Sequence, residues 1–381
     1  MSYVIGYSIP AAMAFVAAVI LFIKSFRGGK RPIRFMALLL VMIAVCALMY
    51  AQYFNSSAAG KIIFDLIYTI VAPLCLPVFC LFIISLTSAD GFSSRTWHIF
   101  IIPALYGLTV IAVSFFMTQA DIDAYMCTVV TRDAPAGEIT VAGKMMTWIA
   151  FHLFSAGLPI GVMLTLAWCE SRLTNYQKTI DMYYATPEGK SISTAHMINI
   201  AVLLIVPVGI YLTFVPMAFN TPPALVWTML GLQCLLIFFI YKYTDSITFT
   251  AADLKDVIDE DSKFQGSMDT IGLVSNRLEE LTAQQIYLDP DISLISLAKD
   301  LGTNRSYAVK AIADRYNCSF SDYVNQHRIR YATALMARTP RKEVSIKDIA
   351  EKSGYISLTS FHRNFELFTG KTPTEWLGRN R

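Results

Sequence analysis

Long apolar runs separated by short polar stretches fill the first 244 residues of the chain. A helix of about 20 apolar residues crosses the hydrocarbon core of a bilayer. The first run lacks the basic residues that precede a cleaved signal sequence, so we expect it to remain as a span. The pattern predicts a seven-helix transmembrane bundle, with these spans: Tyr3–Ile23, Phe35–Phe54, Ile62–Leu86, Trp97–Met117, Met145–Trp168, Met197–Phe219 and Ala224–Tyr241.

The distribution of Lys and Arg between the loops predicts the orientation of these spans. Ten basic residues flank one side of the predicted bundle, beginning with Lys24 and ending with Lys242. The other side has three, which are Lys61, Arg132 and Lys144. Because basic loops stay in the cytoplasm, we expect the N-terminus outside and, after seven crossings, the C-terminal region in the cytoplasm.

Composition and charge divide the chain in the same way. The chain is 55% hydrophobic with a mean hydropathy of +0.49, which is more apolar than an ordinary soluble protein. Residues 1–244 hold 13 basic and 9 acidic side chains, residues 245–288 hold 3 and 9, and residues 289–381 hold 15 and 10. A weakly charged body is therefore followed by an acidic connector and a basic tail. The seven Cys show no metal-type spacing, and we expect no metal and no cofactor.

Two ionisable side chains lie within the apolar runs and are candidates for a ligand or signal site. Asp65 is in the third predicted span and His152 in the fifth, and intramembrane ionisable groups often have a function. The alternatives are that Asp65, one turn from the outer end, reaches the interface, and that His152 is a hydrogen-bonded core residue. The outer loop Thr118–Lys144 is a candidate contact for an external ligand or a plain solvated connector.

The connector, residues 245–290, changes character along its length. Its first part carries an acidic run that begins at Asp253 and ends at Asp261. Beyond Gly266, apolar residues recur at helical spacing: Ile271, Val274, Leu278, Leu281 and Leu288. This stripe predicts either a short dimerising helix or a helix that packs on the domain that follows.

Two copies of one short pattern organise residues 291–381. Leu297-Ala298-Lys299-Asp300-Leu301-Gly302 is echoed about 52 residues later by Ile349-Ala350-Glu351-Lys352-Ser353-Gly354. In helix-turn-helix units a small Ala lets two helices approach, and a Gly relieves the strain of the turn between them. The tail is therefore predicted to be a soluble all-α domain with two helix-turn-helix units, and the whole chain to be all-α.

The second helix of each unit is expected to enter the major groove of DNA. Asn304 is predicted to cap a helix from Arg305 to about Tyr316, and Ser357 a helix from Leu358. The N-terminal residues of such helices meet base edges. The side chains left for DNA are Arg305, Ser306, Val309, Lys310, Leu358, Thr359, His362 and Arg363. A linking helix from about Ser321 to Ala337 carries Arg328 and Arg330, which we expect to be structural or to face phosphate.

The tail contains a specific set of motif residues: Ser293-Leu294, Leu297-Ala298, Leu301-Gly302, Tyr307, Phe320-Ser321-Asp322-Tyr323-Val324-Asn325, Arg328-Ile329, Ala332, Ser345-Ile346, Asp348-Ile349-Ala350, Gly354-Tyr355, Phe361, Arg363, Phe365, Gly370 and Thr372-Pro373. In these residues the tail resembles the AraC/XylS family of bacterial transcription regulators. The resemblance implies two units bridged by one helix and inserted into successive major grooves on one face of the duplex. Ala308 and Ile312 replace larger residues of the family, which predicts looser packing of the first unit. Glu366 and Leu367 replace a basic pair, which predicts weaker phosphate contact.

Together these features predict a membrane-bound, sequence-specific transcription regulator without enzymatic activity. Residues 1–244 would sense a signal, and residues 291–381 would bind a promoter. By resemblance to membrane-anchored members of the family, we expect a multi-pass protein of the bacterial inner membrane. The expected partners are double-stranded DNA, the lipid bilayer, RNA polymerase, a second copy of the chain and an unknown ligand. The alternatives are a transporter or membrane enzyme whose tail only regulates its own gene, and a tail that binds protein instead of DNA.

Overall fold

The computed structural model describes residues 2–28, 30–53, 58–88, 94–128, 138–184, 195–199, 223–245, 247, 250–255, 271–338 and 345–379. Every regular element in these ranges is a helix, which confirms the all-α prediction. The described residues form two compact bodies. The first draws on residues 1–173 and 192–251, and the second on residues 174–191 and 252–381.

The first body consists of long apolar helices and two shorter ones. They are α1 (Ser2–Phe26), α2 (Arg31–Tyr53), α3 (Ala58–Thr87), α4 (Ile101–Ser114), α5 (Gln119–Met126), α6 (Val141–Trp148), the start of α7 (Leu158–Tyr183) and α8 (Pro223–Asp245). A 3-10 segment, Ser94–Phe100, precedes α4, and a π-helical segment, Ile149–Gly157, joins α6 to α7. Helix α2 packs against both α1 and α3, and α8 packs against α1.

These helices are apolar on their outer faces as well as their inner ones. In α1, Ala14 and Leu21 are fully buried, whereas the neighbouring Phe15 and Val16 are more than half exposed. A helix that is hydrophobic all round needs an apolar environment on every side. Among the described helices, four segments are long and apolar enough to cross a membrane: Ser8–Phe26, Arg31–Met49, Gly60–Thr87 and Thr96–Ser114.

These four segments coincide with the first four predicted spans. The fifth predicted span corresponds to α6, the π-helical segment and the start of α7, and the seventh corresponds to α8. The sixth, Met197–Phe219, lies almost entirely outside the described residues. Four apolar helices are thus present where spans were expected, and the complete seven-span bundle stays a prediction.

The ends of α1 and α8 are joined by an ion pair. The Nζ of Lys24 donates to the Asp245 carboxylate at 2.5 Å and to the Asp245 backbone carbonyl at 2.6 Å. Lys24 lies in the last turn of α1, and Asp245 is the final residue of α8. The C-terminal ends of these two helices therefore lie side by side.

The segment between α4 and α7 is organised by one buried carboxylate. Asp121 is fully buried and accepts hydrogen bonds from the backbone N–H and hydroxyl groups of Thr118 and Thr140, at 2.7–2.9 Å. These bonds, those from Thr140 first, lower the pKa of Asp121 to about 2. Thr118 and Thr140 are the N-caps of α5 and α6. Asp121 thus fixes the starts of two helices to each other, which is a structural role.

Seven further α-helices of the second body lie in the described residues 271–338 and 345–379. They are α9 (Ile271–Ala283), α10 (Leu294–Asp300), α11 (Arg305–Tyr316), α12 (Phe320–Arg338), α13 (Ile346–Lys352), α14 (Leu358–Thr369) and α15 (Pro373–Arg379). Two hydrophobic cores lie among them, one built from α9 to the start of α12 and one from the end of α12 to α15. Helix α12 contributes to both cores, so it links two similar halves, as the sequence predicted.

Candidate nucleic-acid interface

The first helix-turn-helix unit consists of α10 and α11, and its ends are fixed by local hydrogen bonds. The Ser293 hydroxyl accepts from the Ser296 N–H, and the Ser296 hydroxyl in turn accepts from the Ser293 N–H. The Asn304 side chain accepts from the Tyr307 N–H at the start of α11. Between the helices Gly302 has a φ of +70°, a left-handed conformation that favours Gly. The predicted cap at Asn304 and the predicted turn at Gly302 are confirmed.

The second unit, α13 and α14, has the same arrangement of caps and turn. The Ser345 hydroxyl accepts from the Asp348 N–H, and the Ser357 hydroxyl accepts from the Ser360 N–H. The turn residue Gly354 has a φ of +82°. Gly370, also left-handed, ends α14, and the following Pro373 begins α15. Both predicted recognition helices therefore begin where the sequence placed them.

The small residues of the first unit are fully buried. Ala298 of α10 and Ala308 and Ala311 of α11 have no exposed surface, and Ile312 is buried beside them. A short residue at each crossing point lets two helix backbones approach closely. The smaller residues at 308 and 312 are therefore enclosed within the core of this unit.

Helix α9 forms part of the first unit. Its buried side chains Val274, Leu278 and Leu281 belong to the same core as α10 and α11, and α9 packs against α11. Glu279 of α9 also pairs with Arg315 of α11. Of the two interpretations of this apolar stripe, the structure therefore supports packing on the domain that follows. A stripe used in this way is not available to a partner chain.

The predicted DNA-contacting residues of α11 lie at its N-terminal end. Ser306, Val309 and Lys310 are exposed, and Arg305 is half-buried. The Arg305 guanidinium lies 5.0 Å from the centre of the Tyr183 ring, at the end of α7. Sequence reasoning missed Tyr183, because no local pattern connects residues more than a hundred positions apart.

The corresponding residues of α14 are more open. Leu358, Thr359 and Arg363 are exposed, and His362 is half-buried with its ring edge against Phe361. Phe361 and Phe365 are fully buried. The apolar and polar positions of α14 therefore fall on opposite faces. Their contact with DNA stays a prediction.

Arg328 connects the two units. Its side chain is fully buried, and its Nε and Nη2 donate to the backbone carbonyls of Tyr287 at 2.6 Å and Asp289 at 2.7 Å. Its guanidinium also lies 5.3 Å from the centre of the Tyr355 ring in the second unit. Of the two roles expected for Arg328, the structure supports the structural one.

A second buried link joins the same helices. The Asn364 side chain of α14 donates to the Asn325 side chain of α12 at 3.1 Å. Both residues are buried, and a buried polar pair of this kind tolerates little displacement. Through these two sets of contacts, α12 is joined to the turn of the second unit and to α14.

The structure places the two membrane-body candidates with different partners. The Asp65 carboxylate accepts a 2.7 Å hydrogen bond from the Tyr125 hydroxyl. His152 is exposed, its Nδ1 is 3.2 Å from the Trp148 carbonyl, and its ring stacks on Trp148. Each has a satisfied structural environment, and their role in a ligand site stays a prediction. Among the described residues, no group of three or more His, Cys, Asp or Glu is arranged to hold a metal ion.

Comparison with known proteins identifies the same segment. Residues 297–379 match a family described as a helix-turn-helix domain. The chain is 31% identical over 94 residues to an uncharacterized HTH-type transcriptional regulator of Staphylococcus aureus. It is 30% identical over 93 residues to another such regulator of Bacillus subtilis. These alignments cover 25% and 24% of this chain but only 12% of each relative, so the chain matches a small part of their length.

Two solved structures also match a part of the chain of similar length. The first is the C-terminal domain of a two-component response regulator from Fusobacterium nucleatum, at 24% identity and a TM-score of 0.25. The match covers 27% of this chain and 96% of the Fusobacterium domain. The second is a protein of unknown function from Listeria innocua, at 26% identity and a TM-score of 0.24. The match covers 26% of this chain and 94% of the Listeria protein.

Proposed function

We propose that the protein is a membrane-bound, sequence-specific transcription regulator, because residues 297–379 match a helix-turn-helix domain and are similar to HTH-type transcriptional regulators. The body of apolar helices would sense a signal in or across the membrane, and the double helix-turn-helix domain would bind a promoter. The observation that carries the proposal is the pairing, in one chain, of this domain with four helices apolar enough to cross a bilayer.

The DNA-binding part of the proposal is supported by the surface of the two recognition helices. Each helix buries its apolar face in its own unit and leaves polar or basic side chains near its N-terminal end, among them Lys310 and Arg363. No carboxylate in the described part of the chain pairs with either residue. Unpaired basic groups at this position suit contact with bases or phosphates.

The membrane part is supported by the exposed apolar surface and by the parallel arrangement of α1 and α8. The Lys24–Asp245 ion pair brings the C-terminal ends of the two helices together. If both span the bilayer, the chain leaves α8 on the side where it left α1. The basic residues that follow α1 make this the cytoplasmic side, which is where a promoter and RNA polymerase are found. A homodimer on DNA is also part of the proposal.

The test is crosslinking of the intact protein to chromosomal DNA in cells, followed by sequencing of the recovered fragments. We expect discrete peaks from wild type, with the protein recovered in the membrane fraction. The double variant Arg305→Ala with Arg363→Ala should lose the peaks while staying in the membrane. Arg277→Ala, which removes an exposed positive charge paired with Glu280 on α9, is the matched control and should keep them.

Each part of the proposal has its own contrary outcome. A protein recovered only in the soluble fraction would refute the membrane assignment and leave DNA binding intact. Equal peaks for wild type and the double variant would refute the assignment of the DNA-reading residues. A membrane protein without peaks would favour a transporter or membrane enzyme, and a truncated chain ending near Thr244 should then still take up or convert a small molecule.

A further inference from the structure

The end of helix α7 lies in the same compact body as the helix-turn-helix units. Residues 174–184, which we name the α7 extension, group with the second body, whereas the preceding residues of the same helix group with the first. Tyr176, Ile180, Tyr183 and Tyr184 are all buried. Their spacing of three, four and seven or eight residues places them on one helical face, so this face of the extension is covered.

The extension touches both helices of the first helix-turn-helix unit. The Tyr183 ring lies under the guanidinium of Arg305, the first residue of α11, at 5.0 Å. Tyr184 forms an antiparallel backbone bridge with Ser293, the N-cap of α10. A cation over an aromatic face is attracted by the negative charge of the π system. The contacts therefore hold the start of the recognition helix and the cap of its supporting helix together.

Under the proposed function, these contacts compete with DNA. The N-terminal residues of a recognition helix meet base edges in the major groove, and an Arg that reads guanine must direct its N–H groups at the base. While Arg305 lies over Tyr183, the α7 extension occupies part of the space beside the N-terminal end of α11. In the second unit the corresponding residue, Leu358 at the start of α14, is exposed.

We propose that the α7 extension is an autoinhibitory clasp on the first helix-turn-helix unit, which must open before both units engage a duplex. The inference rests on the proposed function and adds the element through which the apolar body controls DNA binding. Helix α7 runs without interruption from Leu158 to Tyr183. A shift of its first part is therefore passed to Tyr183 along the helix. A signal that moves α7 would change the fraction of molecules with a free Arg305.

The clasp predicts a gain of affinity when it is weakened. The apparent affinity of a protein falls in proportion to the fraction of molecules in the binding-competent state. Loss of one cation–π contact should raise that fraction by about three- to tenfold. Tyr183→Ala removes the ring, whereas Tyr183→Phe keeps an aromatic face for Arg305 and is the matched control.

The experiment measures binding of the full-length protein, in nanodiscs of phosphatidylethanolamine and phosphatidylglycerol, to a fluorescent duplex selected from a random pool by the wild type. We expect Tyr183→Ala to bind about three- to tenfold more tightly and Tyr183→Phe to bind like wild type. On an Arg305→Ala background, Tyr183→Ala should give no gain. Hydrogen exchange of residues 174–184 in the wild type should become faster when the duplex is added.

Other outcomes separate this inference from the proposed function. If wild type binds the duplex but Tyr183→Ala gives equal or weaker binding, the clasp is refuted and the regulator remains. If Tyr183→Ala does not fold, hydrogen exchange of the α7 extension in the wild type is the remaining test. Exchange rates that do not change when the duplex is added would refute the clasp. If the wild type selects and binds no duplex, the proposed function fails and the clasp with it.

Discussion

Neighbouring segments cover the first helix-turn-helix unit on two sides, whereas the start of the second recognition helix is exposed. Helix α9 completes the core of the first unit, and the α7 extension covers Arg305 at the start of its recognition helix. The second unit is completed instead by Trp376 and Leu377 of the short α15, and its Arg363 is exposed. One sequence pattern, used twice, is therefore embedded in two different surroundings.

The difference indicates a division of labour under the proposed function. An open second unit meets DNA without prior rearrangement, whereas the first unit engages only when the α7 extension leaves. Because Arg328 and Asn325 hold the units together, release of the first would complete a binding surface whose geometry already exists. The α7 extension would then control the access of the first unit to DNA rather than the folding of the DNA-binding domain.

The largest effect is expected at the junction between the units. Arg328→Ala leaves two buried carbonyls without their donor and opens a cavity, so we expect a loss of about 3–5 kcal/mol of stability in the second body. Faster hydrogen exchange across both α11 and α14 would measure it. Arg330→Ala, an exposed position on the same helix, should change stability by no more than about 0.5 kcal/mol. Exchange that rises in one unit alone would contradict a shared junction.

The two turn glycines offer a direct comparison of the units. At Gly302 an added Cβ meets nothing within 4 Å, so Gly302→Ala should cost only the left-handed backbone penalty of about 1 kcal/mol. At Gly354 the Cβ would lie 2.6 Å from the Leu288 carbonyl oxygen and 3.0 Å from the Arg328 Nε. Gly354→Ala should therefore cost about 3 kcal/mol.

Thermal melting of the two glycine variants, followed by hydrogen exchange, would measure this difference. Equal costs would mean that the close approach of Leu288 to the second turn relaxes easily. In that case the turn at Gly354 would be packed no more tightly against its surroundings than the turn at Gly302.

The arginines at the two recognition helices should differ in their effect on DNA binding. Arg363→Ala should weaken binding of the intact protein to its selected duplex by about 1–3 kcal/mol. Arg305→Ala should cost less, because part of the contact with DNA is offset by the loss of the contact with Tyr183. Titrations with Arg277→Ala as the control would measure both. A larger effect at Arg305 than at Arg363 would reverse the proposed roles of the two units.

The smallest differences are expected at the N-caps. Ser293→Ala removes a reciprocal pair of capping bonds, and Ser345→Ala removes a single bond at 3.2 Å from an exposed N–H group. We expect Ser293→Ala to lower the stability by about 1 kcal/mol and Ser345→Ala to lower it by about 0.5 kcal/mol. Exchange of the first-turn amides of α10 and α13 would measure them. Equal melting temperatures for the two variants would contradict the expected difference between the caps.

Features that depend on neighbouring residues were predicted from the sequence. Hydrophobic periodicity predicted the helices, Asn304 and Ser357 predicted the starts of the two recognition helices, and Gly302 and Gly354 predicted the turns. Apolar runs predicted four of the helices that can cross a membrane. Such predictions succeed because capping bonds and φ preferences act within a few residues, whatever the rest of the chain does.

The surroundings of each unit were decided only by tertiary structure. The stripe on α9 suited a partner helix as well as its own domain, and its burial against α11 resolved that ambiguity. Arg328 was expected to be structural or phosphate-facing until its carbonyl partners, about 40 residues away, were known. Tyr183 carries no local signal at all, because its contact with Arg305 depends on where the chain returns after more than a hundred residues. Local patterns specify elements, but contacts between distant segments depend on how the whole chain packs.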